Sequence, residues 1–307
     1  MSALSVIPAT AATDAPPPSP MRTAGHQLIR RQRRALPPLL DVLVVAAIVL
    51  LLLMALVGPL IAPHDPFRSE PSMRLLPAGP DYWLGTDSEG RDILSRLLAG
   101  AQPTILSALL VVAISTAMGV AAAALAAAGP RWVDETVMRT GDILLALPGL
   151  LLALAIAATL GSGLEAAIIA LVATSFPATM RIARASIERT MSESYVEAAR
   201  TMGLSRWRLM SRHVLPNSMD EVIVNATALI GQVTLIMAGL SFIGVGAQPP
   251  SAEWGAMASA SAKYIFTNWP AAFLPGLFIT ISAVAFALLG EMLQTRLDPA
   301  LRTGGRR

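Results

Sequence analysis

The sequence predicts an all-α protein, a polytopic membrane bundle of six transmembrane helices. Apolar residues make up 54% of its 307 positions and charged residues only 14%, whereas about a quarter of the residues in a soluble domain are charged. Two apolar stretches continue for more than 20 residues without a charge. These observations indicate that the lipid bilayer is the solvent for most of the chain.

Six stretches approach the roughly 20 apolar residues that a membrane-spanning helix needs. The second and the fifth are uncharged, so neither offers a face to water as a helix of a soluble protein would. Only Gly161-Ser162-Gly163 separates the third from the fourth, which predicts a tight antiparallel hairpin. The predicted spans are residues 39–62, 104–128, 143–160, 164–180, 222–245 and 271–293.

The distribution of basic residues predicts the orientation, because these residues gather on the cytoplasmic side of membrane proteins. With the N-terminus inside, the inner segments hold eighteen of the 23 Lys and Arg residues and the outer segments hold five. Both termini are therefore predicted to be cytoplasmic. The predicted parts are a disordered basic tail (1–38), a first transmembrane helix (39–62), an extracytoplasmic segment (63–103), a core with five transmembrane helices (104–293) and a cytoplasmic C-terminal tail (294–307).

Several kinds of chemistry are excluded or disfavoured. The chain has no cysteine, and its three histidines are too far apart in sequence to form a spaced metal-binding pair, so we expect no metal site. The one lysine, Lys263, has no glycine-rich segment before it, so the chain lacks the phosphate-binding loop of an ATPase. We expect no cofactor and no catalytic residue, and topology explains the basic charge without a nucleic-acid partner.

An ion-coupled carrier stays open as an alternative. Such carriers usually bury charged residues within their spans, and the second and fifth spans have none. The acidic residues Asp41, Asp142, Glu165 and Glu291 lie at the ends of predicted spans.

The longest inner loop, residues 181–221, carries seven arginines and is predicted to form a helix, a break and a second helix. Ser192 or Ser194 is a suitable cap for the first helix. Gly203 is suited to the left-handed conformation that ends a helix. Ala198 and Ala199 would give a small, flat surface for close docking, although a plain solvated loop is an alternative.

This loop carries a spaced motif. Glu197-Ala198-Ala199 is followed after three residues by Gly203, and Leu215-Pro216 follows further on, with His213 at a position that is usually hydrophobic. The pattern resembles the EAA motif of ABC importer permeases. The resemblance implies a MetI-like type I permease fold and a coupling helix that docks on a cytoplasmic ATPase. The implied coupling residues are Glu197, Ala198, Ala199, Gly203, Leu204, Leu215 and Pro216.

Further stretches resemble one class of these permeases, the dipeptide, oligopeptide and nickel importers, and in particular their C-type subunit. They are residues 83–92, 249–255, 288–291 and 297–302. The resemblance implies import across a bacterial inner membrane with a second permease subunit, two separate ATPase subunits and an extracytoplasmic binding protein. A permease of another ABC importer class is the alternative, and the sequence does not identify the substrate.

The segment before the second span is rich in turns. Gly85 and Gly90 permit sharp bends, and Asp87 or Ser88 is expected to cap a short helix from about Arg91 to Leu98. Its apolar side predicts a position at the membrane surface.

Two features in the later part of the chain are candidates for function. Asn225, Gln232 and Gly239 recur every seven residues and so share one helix face. That face would line a water-filled path or, alternatively, pack against another helix. In the outer loop, the aromatic residues Trp254, Tyr264 and Trp269 are expected to anchor the membrane interface, with contact to the binding protein as the alternative.

Overall fold

The computed structural model describes residues 38–297, which form helices joined mostly by short connections and by one long segment between residues 61 and 93. In this part of the chain no β-strand forms, and the predicted all-α class is confirmed. Both predicted tails fall largely outside the described residues. The α-helices are α1 (Pro38–Ile61), α2 (Ile93–Ala128), α3 (Arg131–Leu145), α4 (Gly149–Leu160), α5 (Leu164–Met191), α6 (Ser194–Thr201), α7 (Arg206–Leu209), α8 (Leu215–Asn217), α9 (Met219–Phe242), α10 (Trp254–Ser261) and α11 (Trp269–Leu297).

Among the described helices, α1, α2, α5, α9 and α11 are long and apolar enough to cross a membrane. Helices α3 and α4 pass the same test only together, and they meet at a bend of 91°. The bundle therefore has five crossings, or six if the bent pair counts as one. The predicted third span is not one straight helix, because Pro148 lacks the N–H that would continue it and disfavours helical backbone at Leu147.

Helix α2 is longer than predicted. Its 36 residues span about 54 Å at 1.5 Å per residue, against a hydrocarbon core of about 30 Å. The separate surface helix expected from Arg91 to Leu98 is wrong, because residues 93–98 form the start of α2 itself. The cap is Asp92, whose carboxylate accepts from the Ser95 backbone N–H at 3.0 Å, and not Asp87 or Ser88.

Small residues allow the helices to pack closely, as expected for a membrane bundle. A Cβ on Gly119 of α2 would lie 2.8 Å from the backbone nitrogen of Met180 in α5. A Cβ on Gly231 of α9 would lie 2.5 Å from the carbonyl oxygen of Ala283 in α11. Glycine at these two crossings therefore brings α2 against α5 and α9 against α11.

The two ends of the bundle differ, and we name them by their contents. The cap end consists of residues 63–92 and 246–268, which pack around the start of α2. The loop end consists of residues 181–221, which pack around the end of α2 and the start of α9. Helix α5 extends into the loop end as far as Met191, about three turns beyond the predicted span.

The cap end encloses a tryptophan that was expected at the membrane interface. Trp254 is fully buried, and its indole N–H donates to the carbonyl oxygen of Leu97 at 3.0 Å. The expectation is wrong for Trp254, and burial also excludes its direct contact with a binding protein. Trp269 is 60% exposed and remains a candidate interface anchor.

Candidate functional site

The loop end has the predicted order of helix, break and second helix. Helix α6 ends at Thr201, and Gly203 takes a left-handed backbone conformation with φ of +83°. No atom lies within 4 Å of the position of a Cβ on Gly203, so the backbone conformation, not space, requires glycine. The predicted serine caps are wrong: Glu193 is the N-cap and no side chain caps the helix. The Ser192 hydroxyl donates instead to the carbonyl oxygen of Arg189 at 2.6 Å.

One face of α6 is fixed to the bundle. Val196 and Ala199, three residues apart and so on the same helix face, are 1% and 3% exposed. They pack in a cluster with Ile187 of α5 and Val222 of α9. The expected flat surface of two alanines is therefore wrong for Ala199, whereas Ala198 is exposed.

The other face of α6 and the turn after it expose large side chains. Met202 is 73% exposed, Trp207 57% and Tyr195 43%. Glu197 and Ala198 are exposed between them. We call these five residues the docking surface, because exposed apolar side chains gathered at one place commonly mark an interaction site.

Part of the docking surface was not predicted from the sequence. Neither Met202 nor Tyr195 was among the residues predicted for the site. The available signal was that Met202 and Trp207 flank Gly203, the position at which the chain turns.

The second half of the loop holds the segment against the bundle. Residues Met210–Val214 form a π-helical turn between α7 and α8, and this wider turn changes which side chains face inward. His213 is half-buried, and the next residue, Val214, is fully buried. Leu204 and Leu215 are partly buried against the same cluster, whereas Pro216 is exposed.

Helix α9 carries two polar stripes with different environments. Gln232 is exposed, Asn225 and Gly239 are half-buried, and no atom lies within 4 Å of a Cβ position on Gly239. Thr227 and Thr234 are buried, and their hydroxyls donate at 2.8 Å to carbonyl oxygens of their own helix. The threonine stripe packs inside the chain, whereas the chain's own bundle covers the Asn225 stripe only in part.

Ion pairs connect the loop end to the neighbouring helices. Arg184 of α5 donates two hydrogen bonds, each of 3.0 Å, to the Asp134 carboxylate of α3. Arg189 of α5 pairs with Glu221 of α9. These ion pairs and the apolar cluster around Val196 connect α6 to α5, and α5 to both α3 and α9.

The cap end contains a buried acid that was not predicted from the sequence. Glu253 is fully buried and accepts from the backbone N–H groups of Gly255 at 3.0 Å and Ala256 at 2.9 Å. Burial raises the pKa of the Glu253 carboxyl, and these hydrogen bonds act in the opposite direction. Glu253 thus caps α10 at its junction with α2.

Comparison with known proteins agrees with this arrangement. The chain is 41% identical over 253 residues to the probable D,D-dipeptide transport system permease protein DdpC of Escherichia coli K12, covering 82% of this chain and 84% of that one. It is 41% identical over 254 residues to the di/tripeptide transport system permease protein DppC of Pseudomonas aeruginosa UCBPP-PA14, covering 81% and 84%.

Among solved structures, an inward-facing crystal form of the MetNI methionine ABC transporter superposes with a TM-score of 0.55. The match covers 66% of this chain and 97% of that chain at 17% identity, and it confirms the MetI-like fold. Residues 116–303 match the family described as binding-protein-dependent transport system inner membrane component. The chain belongs to this family of multi-pass ABC importer permeases.

Proposed function

We propose that the chain is one permease subunit of an ATP-driven importer of dipeptides, oligopeptides or related small solutes such as nickel complexes. Separate subunits hydrolyse the ATP. The names of the relatives support a peptide substrate. The observation that carries the proposal is the docking surface, since a loop that is anchored on one face and exposes Met202 and Trp207 on the other is suited to a protein partner.

The proposed orientation places both termini and the loop end in the cytoplasm, and the cap end on the outer side. Its support is the excess of arginine in the segments assigned to the inside. The docking surface then meets a cytoplasmic ATPase, and the cap end meets an extracytoplasmic binding protein.

The proposed coupling follows from the packing of α6. An ATPase that closes on nucleotide pushes the docking surface, and Val196 and Ala199 pass the movement to the bundle because they are buried against it. Gly203 lets the chain turn sharply after α6, while Leu204, Leu215 and Pro216 complete the segment. The rocking that results alternately opens the path to each side.

The proposed path lies between this chain and a second, similar permease subunit. Its wall on this chain includes Asn225, Gln232 and Gly239, which the chain's own bundle leaves half-buried or exposed. Uncharged polar and small residues leave room for a polar solute without fixing it in place.

The test is site-specific cross-linking, for which the cysteine-free chain offers a clean background. Ala198→Cys should form a cross-link to the ATPase subunit in intact membranes. Ala199→Cys is the matched control. The Ala199 side chain is buried, so a cysteine at this position should give little cross-linked product. Equal yields from the two positions, or no product from Ala198→Cys with several linker lengths, would contradict the docking assignment.

A further inference from the structure

A cavity of about 540 Å³ lies between α2 and α9, in the half of each helix nearer the loop end. A volume of this size is typical of sites that bind small molecules. Nine of the ten residues that line the cavity are apolar and none is charged, so the lining suits an apolar group. The α2 wall includes Ala113, Ala117 and Ala121, all exposed, and the facing wall includes Leu215 and Met219.

Packed side chains hold both ends of the cavity. At one end, Val112 lines the cavity and also packs in a buried cluster with Val233 of α9. At the other end, Ala124 and Leu215 line it and pack against the cluster that contains Val196 of α6. The cavity is therefore the space that α2 and α9 leave open between two fixed contacts, and it does not depend on one side chain.

One polar side chain on the wall has no partner within the chain. Thr116 lines the cavity, and its hydroxyl is the one buried hydroxyl among the described residues that makes no hydrogen bond. The hydroxyls of Thr227 and Thr234 donate to carbonyl oxygens of their own helix instead. A buried hydroxyl without a partner is costly, and rotation of the Thr116 side chain would let a group in the cavity supply one.

One wall belongs to the part of the chain that is proposed to move. Leu215 and Met219 lie in the loop end, so a movement of the loop end changes the shape of the cavity. Such a wall suits a solute that binds and leaves during alternating access better than a permanent contact with another subunit. Ala226 also lines the cavity, and the next residue towards the loop end, Asn225, belongs to the proposed wall of the path.

We propose that the cavity receives an apolar side chain of a peptide in transit, an inference that rests on the proposed function. Burial of a leucine-sized side chain in the cavity is favourable, and the flexible side chain of Met219 adapts to groups of different shape. The peptide backbone offers polar groups to Thr116, which the hydrocarbon part of a lipid does not. A peptide that carries only methyl side chains gains little from the cavity.

The first test measures peptide imported per ATP hydrolysed, in liposomes that contain the complete transporter, with labelled dileucine and labelled dialanine. Ala117→Leu fills the cavity and should lower the import of dileucine relative to dialanine about tenfold compared with the wild type. The same binding protein is used throughout, so its own preference cancels. Ala155→Leu is the matched control, because Ala155 of α4 is exposed but does not line the cavity.

A second test detects occupancy without filling the cavity during folding and assembly. The chain has no cysteine, so Ala117→Cys offers one thiol for alkylation by N-ethylmaleimide in the assembled transporter. Dileucine supplied during ATP-driven import should slow this alkylation, and dialanine should slow it much less. Alkylation of Ala155→Cys should be the same with either peptide.

Three results would overturn the site. Loss of the second permease subunit from a folded Ala117→Leu chain would assign the cavity to a subunit contact. An unchanged ratio of dileucine to dialanine import in an intact complex would assign it to lipid. Alkylation of Ala117→Cys at the same rate with and without dileucine would show that no peptide enters. In each case import by the wild type would leave the proposed function intact, whereas a wild-type transporter that imports neither peptide would contradict the proposed function itself.

Discussion

The cap end and the loop end of the bundle are held together in opposite ways. At the cap end, Arg96 is 3% exposed and its guanidinium donates to backbone carbonyl oxygens of Pro66 at 2.8 Å and Ser251 at 2.9 Å. At the loop end, Arg189 and Glu221 pair while 67% and 38% exposed. A buried network of this kind is costly to open, whereas exposed pairs add little stability.

This contrast indicates where the molecule can move. The cap end joins residues that are far apart in sequence into one rigid unit around the start of α2. The loop end rests on an apolar cluster and on ion pairs that water can replace. Movements driven from the docking surface should therefore rearrange the loop end and leave the cap end intact.

The largest expected effect is the loss of the buried tryptophan at the cap end. Trp254→Ala removes a fully buried indole and should lower the free energy of unfolding by about 3–5 kcal/mol. Thermal unfolding of the detergent-purified protein measures the change. Trp269→Ala, at a 60% exposed position, is the control and should change stability far less. Similar losses for both would refute the view that the cap end is a packed core.

The burial of Trp254 also shows how far the sequence could predict this fold. The uncharged spans were predictable because lipid tolerates few charges. The insertion of residues 249–256 beside α2 was not, since it depends on a tertiary contact. A Cβ on Gly100 would lie 2.0 Å from the carbonyl oxygen of Ala252, and a lone glycine does not identify its neighbour.

The candidate site was predictable to a similar degree. The spacing of Glu197 and Gly203 indicated a helix that ends in a turn, and the structure has both. Helical periodicity alone would have separated Ala198 from Ala199, because Ala199 shares a face with Val196. The cavity between α2 and α9 was not predictable, because it depends on how these two helices lie against each other.

A smaller effect is expected from the exposed tryptophan at the loop end. Trp207→Ala should weaken association with the ATPase subunit by about 2 kcal/mol, or about 30-fold, as is typical of an exposed aromatic contact residue. The unfolding temperature of the Trp207→Ala permease should hardly change, because Trp207 is 57% exposed. Binding of purified ATPase to the permease in nanodiscs measures the effect. A loss of stability without a loss of affinity would place Trp207 in the core and reverse the comparison with Trp254.

The smallest expected effect is a pH dependence at the cap end. Because burial raises the pKa of Glu253 above its ordinary value of 4.5, the folded protein binds this proton more tightly than the unfolded chain does. The stabilisation is complete below pH 4.5 and is lost as the pH rises through the folded-state pKa. Glu253→Gln cannot ionise, yet its amide oxygen can still accept a hydrogen bond from Gly255 or Ala256.

The Tm of Glu253→Gln relative to the wild type should therefore rise as the pH increases from below 4.5 towards neutrality. Glu135→Gln is the control, because Glu135 is 54% exposed and should give a nearly constant difference. If the Tm difference between Glu253→Gln and the wild type did not change with pH, burial would not destabilise the ionised carboxylate. The cap end would then contain water or a mobile cation partner, and its rigidity relative to the loop end would need another origin.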